Sequence, residues 1–408
     1  MTVTARKIPA LRFPEFEGEW EEKRLEDISK GVMYGMNSAA IPFDGVNKYL
    51  RITDIDEESR AFVPNPLTSP EGKIENKYKL KEGDIVFTRT GASTGKSYLF
   101  RETDGNLYFA GFLIKFSILK AIPYFVYSST FRSSYLKWVQ VMSMRSGQPG
   151  INAEEYKSLK ISLPLLPEQQ KIATFLTIID TRIQQLSRKK AMLEQYKKGV
   201  MQQIFAQETR FKDEEGKEFS AWAESTLGKL ASFIKGKGIS KADIAENGNW
   251  ECVLYGELYT SYGEVIDNIQ SRTNLDPSNL VLSQANDVVI PASGETHIDI
   301  ATASCILREG IALGGDLNII RANANGIFLA YYLNNARKNQ IARLAQGSSV
   351  IHLYSSQLKL LRLSLPSLPE QQKIAAFLST IDRQINLVGQ QLERMQAFKK
   401  GLLQQMFV

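Results

Sequence analysis

The stretch that looks most like a catalytic loop is Gly91-Ala92-Ser93-Thr94-Gly95-Lys96-Ser97. A phosphate-cradling loop needs four residues between its glycines, and a helix must follow so that its first amides face the phosphate. Here three residues separate Gly91 from Gly95, Thr90 stands where the first glycine belongs, and Ser97-Tyr98-Leu99-Phe100 reads as a strand. Nucleotide binding is therefore not expected. His297 and His352 are the only histidines, too few for a histidine-based metal site or triad. Glu-x-Lys occurs at Glu71/Lys73, Glu75/Lys77 and Glu215/Lys217, but without the upstream acid of a nuclease centre, so these read as solvated turns. No Pro-Pro-aromatic motif of an amino-methyltransferase is present, and no glycine-rich cofactor fingerprint opens a helix. The chemistry left to the chain is binding.

That binding chemistry sits in loops and suits double-stranded DNA. Arg89 can pair bidentately with guanine, Thr88, Thr90, Ser93 and Thr94 can meet phosphates or base edges, and Lys96 is a point charge for phosphate. A later loop adds Arg145, Ser146 and Gln148. The second half offers Ser293, Glu295, Thr296 and His297, then Gln346, Ser348, Ser349 and His352, with charge from Lys235, Lys237 and Lys241. Glu295 can accept from cytosine N4.

These loops come in two sets because the chain is duplicated. Pro167-Glu168-Gln169-Gln170-Lys171-Ile172-Ala173 returns as Pro369-Glu370-Gln371-Gln372-Lys373-Ile374-Ala375, an offset of 202 residues, and Lys197-Lys198-Gly199 returns as Lys399-Lys400-Gly401. A repeat of this length is a duplicated domain with its connector, not a solenoid unit. Each copy of this stretch predicts one helix of about 38 residues, roughly 57 Å at 1.5 Å per residue. Its apolar residues step by four and three, as in Ile172, Leu176, Ile179, Ile183 and Leu186, which is a heptad seam. Lys190, Lys197 and Lys399 interrupt that seam. If the halves are related by a pseudo-two-fold axis crossing the helices, the two helices run antiparallel.

The rest of each half reads as a mixed α+β domain. Trp20 and Leu25 match Trp222 and Leu227, so the duplication extends beyond the helices. Gly83-Asp84-Ile85-Val86 and Asn286-Asp287-Val288-Val289 read as a turn entering an apolar strand. A second strand is expected at 112–116 and at 317–320, and aromatic-rich helical runs at 124–141 and 327–345. The predicted division is 1–162 and 207–364 for the two domains, with long helices at 163–206 and 365–408.

Composition bounds the compartment and the partners. With 43% hydrophobic and 23% charged residues in 408, the chain can fill two or three globular cores. The formal net charge of +6 is compatible with a polyanionic partner. Cys252 and Cys305 form neither a metal spacing nor a disulfide framework, no leader-like apolar segment opens the sequence, and a reducing cytoplasm is expected.

Taken together, the chain resembles the DNA-specificity subunits of type I restriction–modification systems. The resemblance is carried by the doubled Pro-Glu-Gln-Gln-Lys-Ile helices, the strand-loops ending at Gly91 and Gly294, and the Ser146-Gly147-Gln148 and Gly347-Ser348 loops before the helices. It implies two target-recognition domains, each reading half of a split target, joined by two long helices packed as an antiparallel coiled coil. It also implies two modification (methyltransferase) subunits on the helices, carrying S-adenosylmethionine for adenine methylation. Restriction (translocase/nuclease) subunits that use ATP and Mg would join them. On this view the chain is not an enzyme and binds no cofactor or metal; the alternative is a single-chain DNA methyltransferase or nuclease. Lys and Arg outnumber acids seven to three between Glu168 and Phe205, and Arg182 and Arg188 are the expected partner-binding residues there.

If the helices set the spacing of the half-sites, four residues inserted after Leu186 should lengthen the gap. The added length is roughly 6 Å, close to two base pairs at about 3.4 Å each, and a four-residue stutter is tolerated by a coiled coil. Cells carrying the insertion should methylate the same half-sites with one or two extra base pairs between them. An active variant with the original gap would contradict this.

Overall fold

The computed structural model describes residues 7–347 and 350–408. Two compact units are present, Met1–Ser187 with Gln390–Val408 and, separately, Arg188–Gly389, so both long helices pass from one unit into the other.

In the first unit the main sheet is antiparallel, in the order Ser29–Tyr34, Leu113–Ile118, Asp84–Thr88, Ser97–Leu99. Strand Asp84–Thr88 is buried along its whole length. Ile85 and Phe87 point into a cluster with Phe116, Phe125 and Leu176, whereas Val86 points to the opposite side, with Leu50, Tyr98 and Phe109. Both faces are covered, which is why the strand reads as a continuous apolar run without alternation. Gly83 precedes it at φ +88°, and the Asp84 carboxylate closes the turn by accepting from the Lys81 amide at 2.9 Å.

The second unit repeats this plan. Ala231–Lys235, Leu317–Ala322, Asp287–Pro291, Ser304–Ile306 and Val265–Ile266 form its five-stranded sheet, and only the last pairing is parallel. Val288 and Ile290 face one cluster and Val289 the other. Asn286, at φ +78°, takes the left-handed place that glycine holds in the first unit, and Asp287 accepts from the Gln284 amide at 2.8 Å. A second sheet, Ser271–Thr273, Trp250–Val253, Ala312–Leu313 and Val281–Leu282, lies outside the strands read from the sequence. Cys252 and Cys305 are buried free thiols, pushed up by burial to about 11 and about 12.

Each helical run before the long helix is broken, where one continuous run is expected. The first divides into Pro123–Ser129 and Ser133–Met142. Hydroxyls of Ser128, Ser129 and Thr130 bond the carbonyls of Tyr124, Val126 and Tyr127, in competition with the helical ladder. In the second unit Gly326–Tyr332 passes through a π-helical turn, Leu333–Arg337, into Lys338–Leu344.

The long helices span Leu166–Phe205 and Leu368–Gln405. At the entrance to the first, Glu168 is buried and takes a bidentate pair from Arg12 at 2.7 and 2.8 Å. Gln169 accepts from the Ile122 amide and donates to the Pro164 carbonyl. The second entrance repeats this with Glu370 and Arg210 at 2.7 and 3.1 Å, and with Gln371 between Asn325 and Pro366. The duplicated Glu-Gln pair thus joins each helix to its own domain, beyond the favourable dipole of an acid in the first turn.

Within each unit the helices run antiparallel. In the first, the Leu11 amide bonds the Gln405 carbonyl beside the Arg12–Glu168 pair, while Asp180 meets Lys399 at 2.5 Å. In the second, Lys197 bonds Asp382 at 2.7 Å, and Lys190 lies beside Gly389. Of the three lysines that break the seam, Lys197 and Lys399 are therefore interhelical ion-pair partners. Burial opposes the charge on Lys197, but Glu264 and Asp382 outweigh it and hold its pKa above the usual value. The aspartates also accept from tyrosine hydroxyls, Tyr124 to Asp180 and Tyr331 to Asp382, and burial raises both phenols.

Removing a buried carboxylate strands its arginine. Glu168→Ala and Glu370→Ala should each cost about 3 kcal/mol. Glu194→Ala, which loses an exposed pair with Lys190 at 3.9 Å, should cost under about 0.5 kcal/mol. Unfolding midpoints check this, and equal costs for buried and exposed positions would contradict it.

Candidate nucleic-acid interface

In the first unit four segments meet at one end of the main sheet. The Gly35 amide bonds the Leu113 carbonyl at 3.1 Å, and the Arg89 amide bonds Phe112 at 3.1 Å. The Arg89 carbonyl accepts from Ile151 at 2.9 Å, and Thr90 bridges to Gly150. This latch brings Arg89 and Thr90 beside the later loop with Arg145, Ser146 and Gln148. The Arg89 guanidinium lies over the Tyr34 ring at 4.8 Å, and the Tyr34 hydroxyl accepts from the Ala153 amide at 3.1 Å. Ser146 and Gln148 are exposed. Arg145 is exposed too, but its guanidinium is engaged by Glu155 and the carbonyls of Met142 and Met144.

Other residues of the same loop turn inward. Thr88 is fully buried, its hydroxyl between the Ser93 carbonyl and the Lys96 amide. Lys96 is 8% exposed, with its ammonium on the Ile55 carbonyl at 3.1 Å and on Glu57. Thr94 donates to the Gly91 carbonyl at 2.7 Å, and the Ser93 carbonyl closes the same turn. Thr88 and Lys96 therefore hold the loop and are not free for DNA, contrary to the expectation from their side-chain types. Glu57, the long-range partner of Lys96, gives no local signal in the sequence. Ser97–Leu99 is a strand, so the helix that a phosphate-cradling loop needs does not follow.

The second unit builds the same latch with different side chains. The Gly236 amide bonds Leu317 at 2.9 Å, Ala292 bonds the Asp316 carbonyl at 2.7 Å, and Leu353 bonds the Ala292 carbonyl at 2.9 Å. Ser293 pairs with His352 as Thr90 does with Gly150, and Gln346 exchanges both backbone bonds with His352. Ala292 thus stands at the place of Arg89. Ser293 is buried at 5% exposure, so its hydroxyl is not presented. Glu295, Thr296 and His297 are exposed, with Thr296 bonded to Asp299 and His297 Nδ1 3.2 Å from the Ala342 carbonyl. His352 stacks on Tyr354. Ser348 and Ser349 lie outside the described residues.

Of the basic trio, Lys235 ends its edge strand and meets Asp316 at 3.7 Å, and Lys237 and Lys241 follow it, exposed. Side-chain type alone did not single out Tyr34, Phe112 and Asp316. Pairing Gly35 with Gly236 in the duplicated sequence places Tyr34 opposite Lys235 and would have found Tyr34. Arg182 and Arg188 are exposed on the first long helix. Among the described residues no cluster suited to a metal ion occurs, and no helix is long and apolar enough to cross a membrane.

Comparison with known proteins places this arrangement. The sequence family described as type I restriction modification DNA specificity domain matches residues 17–195 and again 220–397. The putative type I restriction enzyme MjaX specificity subunit of Methanocaldococcus jannaschii is 24% identical over 403 residues, 95% of this chain and 93% of its own. The MjaVIII specificity subunit of the same organism is 24% identical over 420 aligned residues, 98% of this chain and 93% of its own. The S subunit of a type I restriction-modification system from M. genitalium shares the fold at a TM-score of 0.64 and 16% identity, covering 98% of this chain and 99% of that one. A chain from a structure of complex assembly and conformational transition in a type I R-M system gives a TM-score of 0.53 at 17% identity, covering 94% and 96%. With one match in each half, this chain belongs to the type I restriction modification DNA specificity family.

Proposed function

We propose that this chain is the specificity subunit of a type I restriction–modification complex, a non-catalytic cytoplasmic protein whose two units each read one half of a bipartite double-stranded DNA target. The observation that carries this reading is the repeated latch. The same backbone bonds hold Arg89 and Ala292 in equivalent places while the exposed side chains around them differ. A constant frame with variable side chains suits two domains reading different base sequences, since base edges are told apart by donor and acceptor pattern. Arg89, Thr90, Arg145, Ser146 and Gln148 serve the first half-site. Glu295, Thr296, His297, His352, Lys235, Lys237 and Lys241 serve the second, together with Ser348 and Ser349. Two modification subunits dock on the long helices, where Arg182 and Arg188 face solvent, and bring S-adenosylmethionine for adenine methylation. Restriction subunits bring ATP and Mg.

Mixing experiments test this. The chain alone should bind target DNA in a salt-sensitive manner and transfer no methyl group from S-adenosylmethionine; adding modification subunits should give methylation. Charge reversal by Arg182→Glu with Arg188→Glu should weaken assembly and methylation and leave DNA binding by the chain alone intact. Methyl transfer by the chain alone would overturn the non-catalytic reading, and full assembly of the reversed chain at physiological salt would overturn the helix-docking one.

A further inference from the structure

We infer that one set of equivalent positions chooses bases in the two units: Tyr34, Arg89 and Phe112 in the first, and Lys235 and Asp316 in the second, where buried Ala292 fills the Arg89 place. The inference rests on the proposed role of both units in DNA recognition. The equivalence follows from register. Tyr34 pairs with Ile114 and Lys235 with Asn318, Gly35 and Gly236 make the same bond, and Phe112 and Asp316 each accept the amide at the Arg89 or Ala292 position. A Cβ on Gly35 would fall 2.3 Å from the Ala110 carbonyl oxygen, and one on Gly236 would fall 2.0 Å from that of Gly314. Only glycine fits either place, so the side chain just before it ends the strand at a fixed point.

The chemistry at the three positions is different in kind. In the first unit the Arg89 backbone is bonded on both sides, to Phe112 and to Ile151, and its guanidinium rests on a tyrosine ring that is itself hydrogen-bonded. A planar fork held in this way loses little freedom when it meets the O6 and N7 of guanine. Phe112, 61% exposed, offers an apolar surface beside it, suited to a thymine methyl. In the second unit the fork is gone, with Ala292 in its place, and the neighbours are an ammonium and a carboxylate 3.7 Å apart. That pair is too exposed to add much to stability, with side chains 70% and 50% accessible. Asp316 also holds a left-handed φ of +58°, which glycine would adopt at lower cost. A lysine donor beside an aspartate acceptor matches one G·C pair, the ammonium on guanine and the carboxylate on cytosine N4. The first unit's half-site therefore contains a guanine with a thymine next to it, and the second unit's contains a G·C pair.

The test uses the complex with modification subunits, reading the methylated motif in cells and the affinity for the target and its single-base variants. Arg89→Ala and Phe112→Asn should each relax one base position of the same half-site, by about tenfold, with the other half unchanged. Asp316→Asn and Lys235→Ala should relax one base pair of the opposite half-site. Asp316→Asn preserves size and shape, Phe112 is exposed, and an unchanged unfolding midpoint separates lost reading from lost fold. Unchanged base preference in folded variants, with a sequence-selective wild-type complex, would overturn this inference alone. So would an equal loss on all sequences, the mark of a phosphate contact. A wild-type complex with no sequence preference would overturn the recognition role and this inference with it.

Discussion

A carboxylate buried at the start of a long helix must find a cation, and in this chain that need ties each helix to its domain. Glu168 and Glu370 are almost without solvent contact, and each is met by an arginine from the segment that opens its own unit. The neighbouring glutamines use both ends of their amides to bind the helix entrance and the start of the aromatic helix behind the sheet. Unpaired, such a charge would be strongly destabilising. The pairing therefore fixes where the helix leaves the domain, and the seam and the Asp–Lys pairs then fix its partner. Asp180–Lys399 in one unit and Asp382–Lys197 in the other place a charge pair between apolar turns. Such a pair adds little net stability but penalises other registers, because a slipped helix would leave both charges unpaired.

On this frame the recognition loops can vary. The central strands Asp84–Thr88 and Asp287–Pro291 are buried along their length and cannot change freely, whereas Phe112, Lys235 and Asp316 near the sheet ends face solvent. Apart from Gly35 and Gly236, where only glycine fits, the latch is held by backbone bonds that any residue except proline can supply. Arginine on tyrosine in one unit and a lysine–aspartate pair in the other are alternative fillings of one geometry.

Much of this was legible in the sequence. The duplication is explicit in Pro167–Ala173 and its copy, and the apolar runs at 85–87 and 288–290 give the central strands. The spacing of Gly91 and Gly95, with a strand after them, excludes a phosphate loop. What was not legible depends on contacts far apart in sequence. Lys197 and Lys399 look like flaws in a heptad until Asp382 and Asp180 are placed opposite them. Thr88 and Lys96 have the right chemistry for DNA, yet one is covered by its own loop and the other is drawn inward by Glu57, 39 residues away. Ser293 is buried by the bridge to His352, which no local pattern announces. Phe112 reads as the first residue of an apolar strand, yet the strand begins at Leu113 and leaves it exposed, and Asp316 carries no motif.

The central claim is that each unit reads its half of the target alone, on a frame common to both. It is tested most directly by exchanging residues 13–160 for the same segment of a relative with a different target, then sequencing the methylated DNA of cells that carry the hybrid. The account predicts a motif in which one half changes and the other half stays as it was. A motif changed in both halves, or in neither, would contradict it.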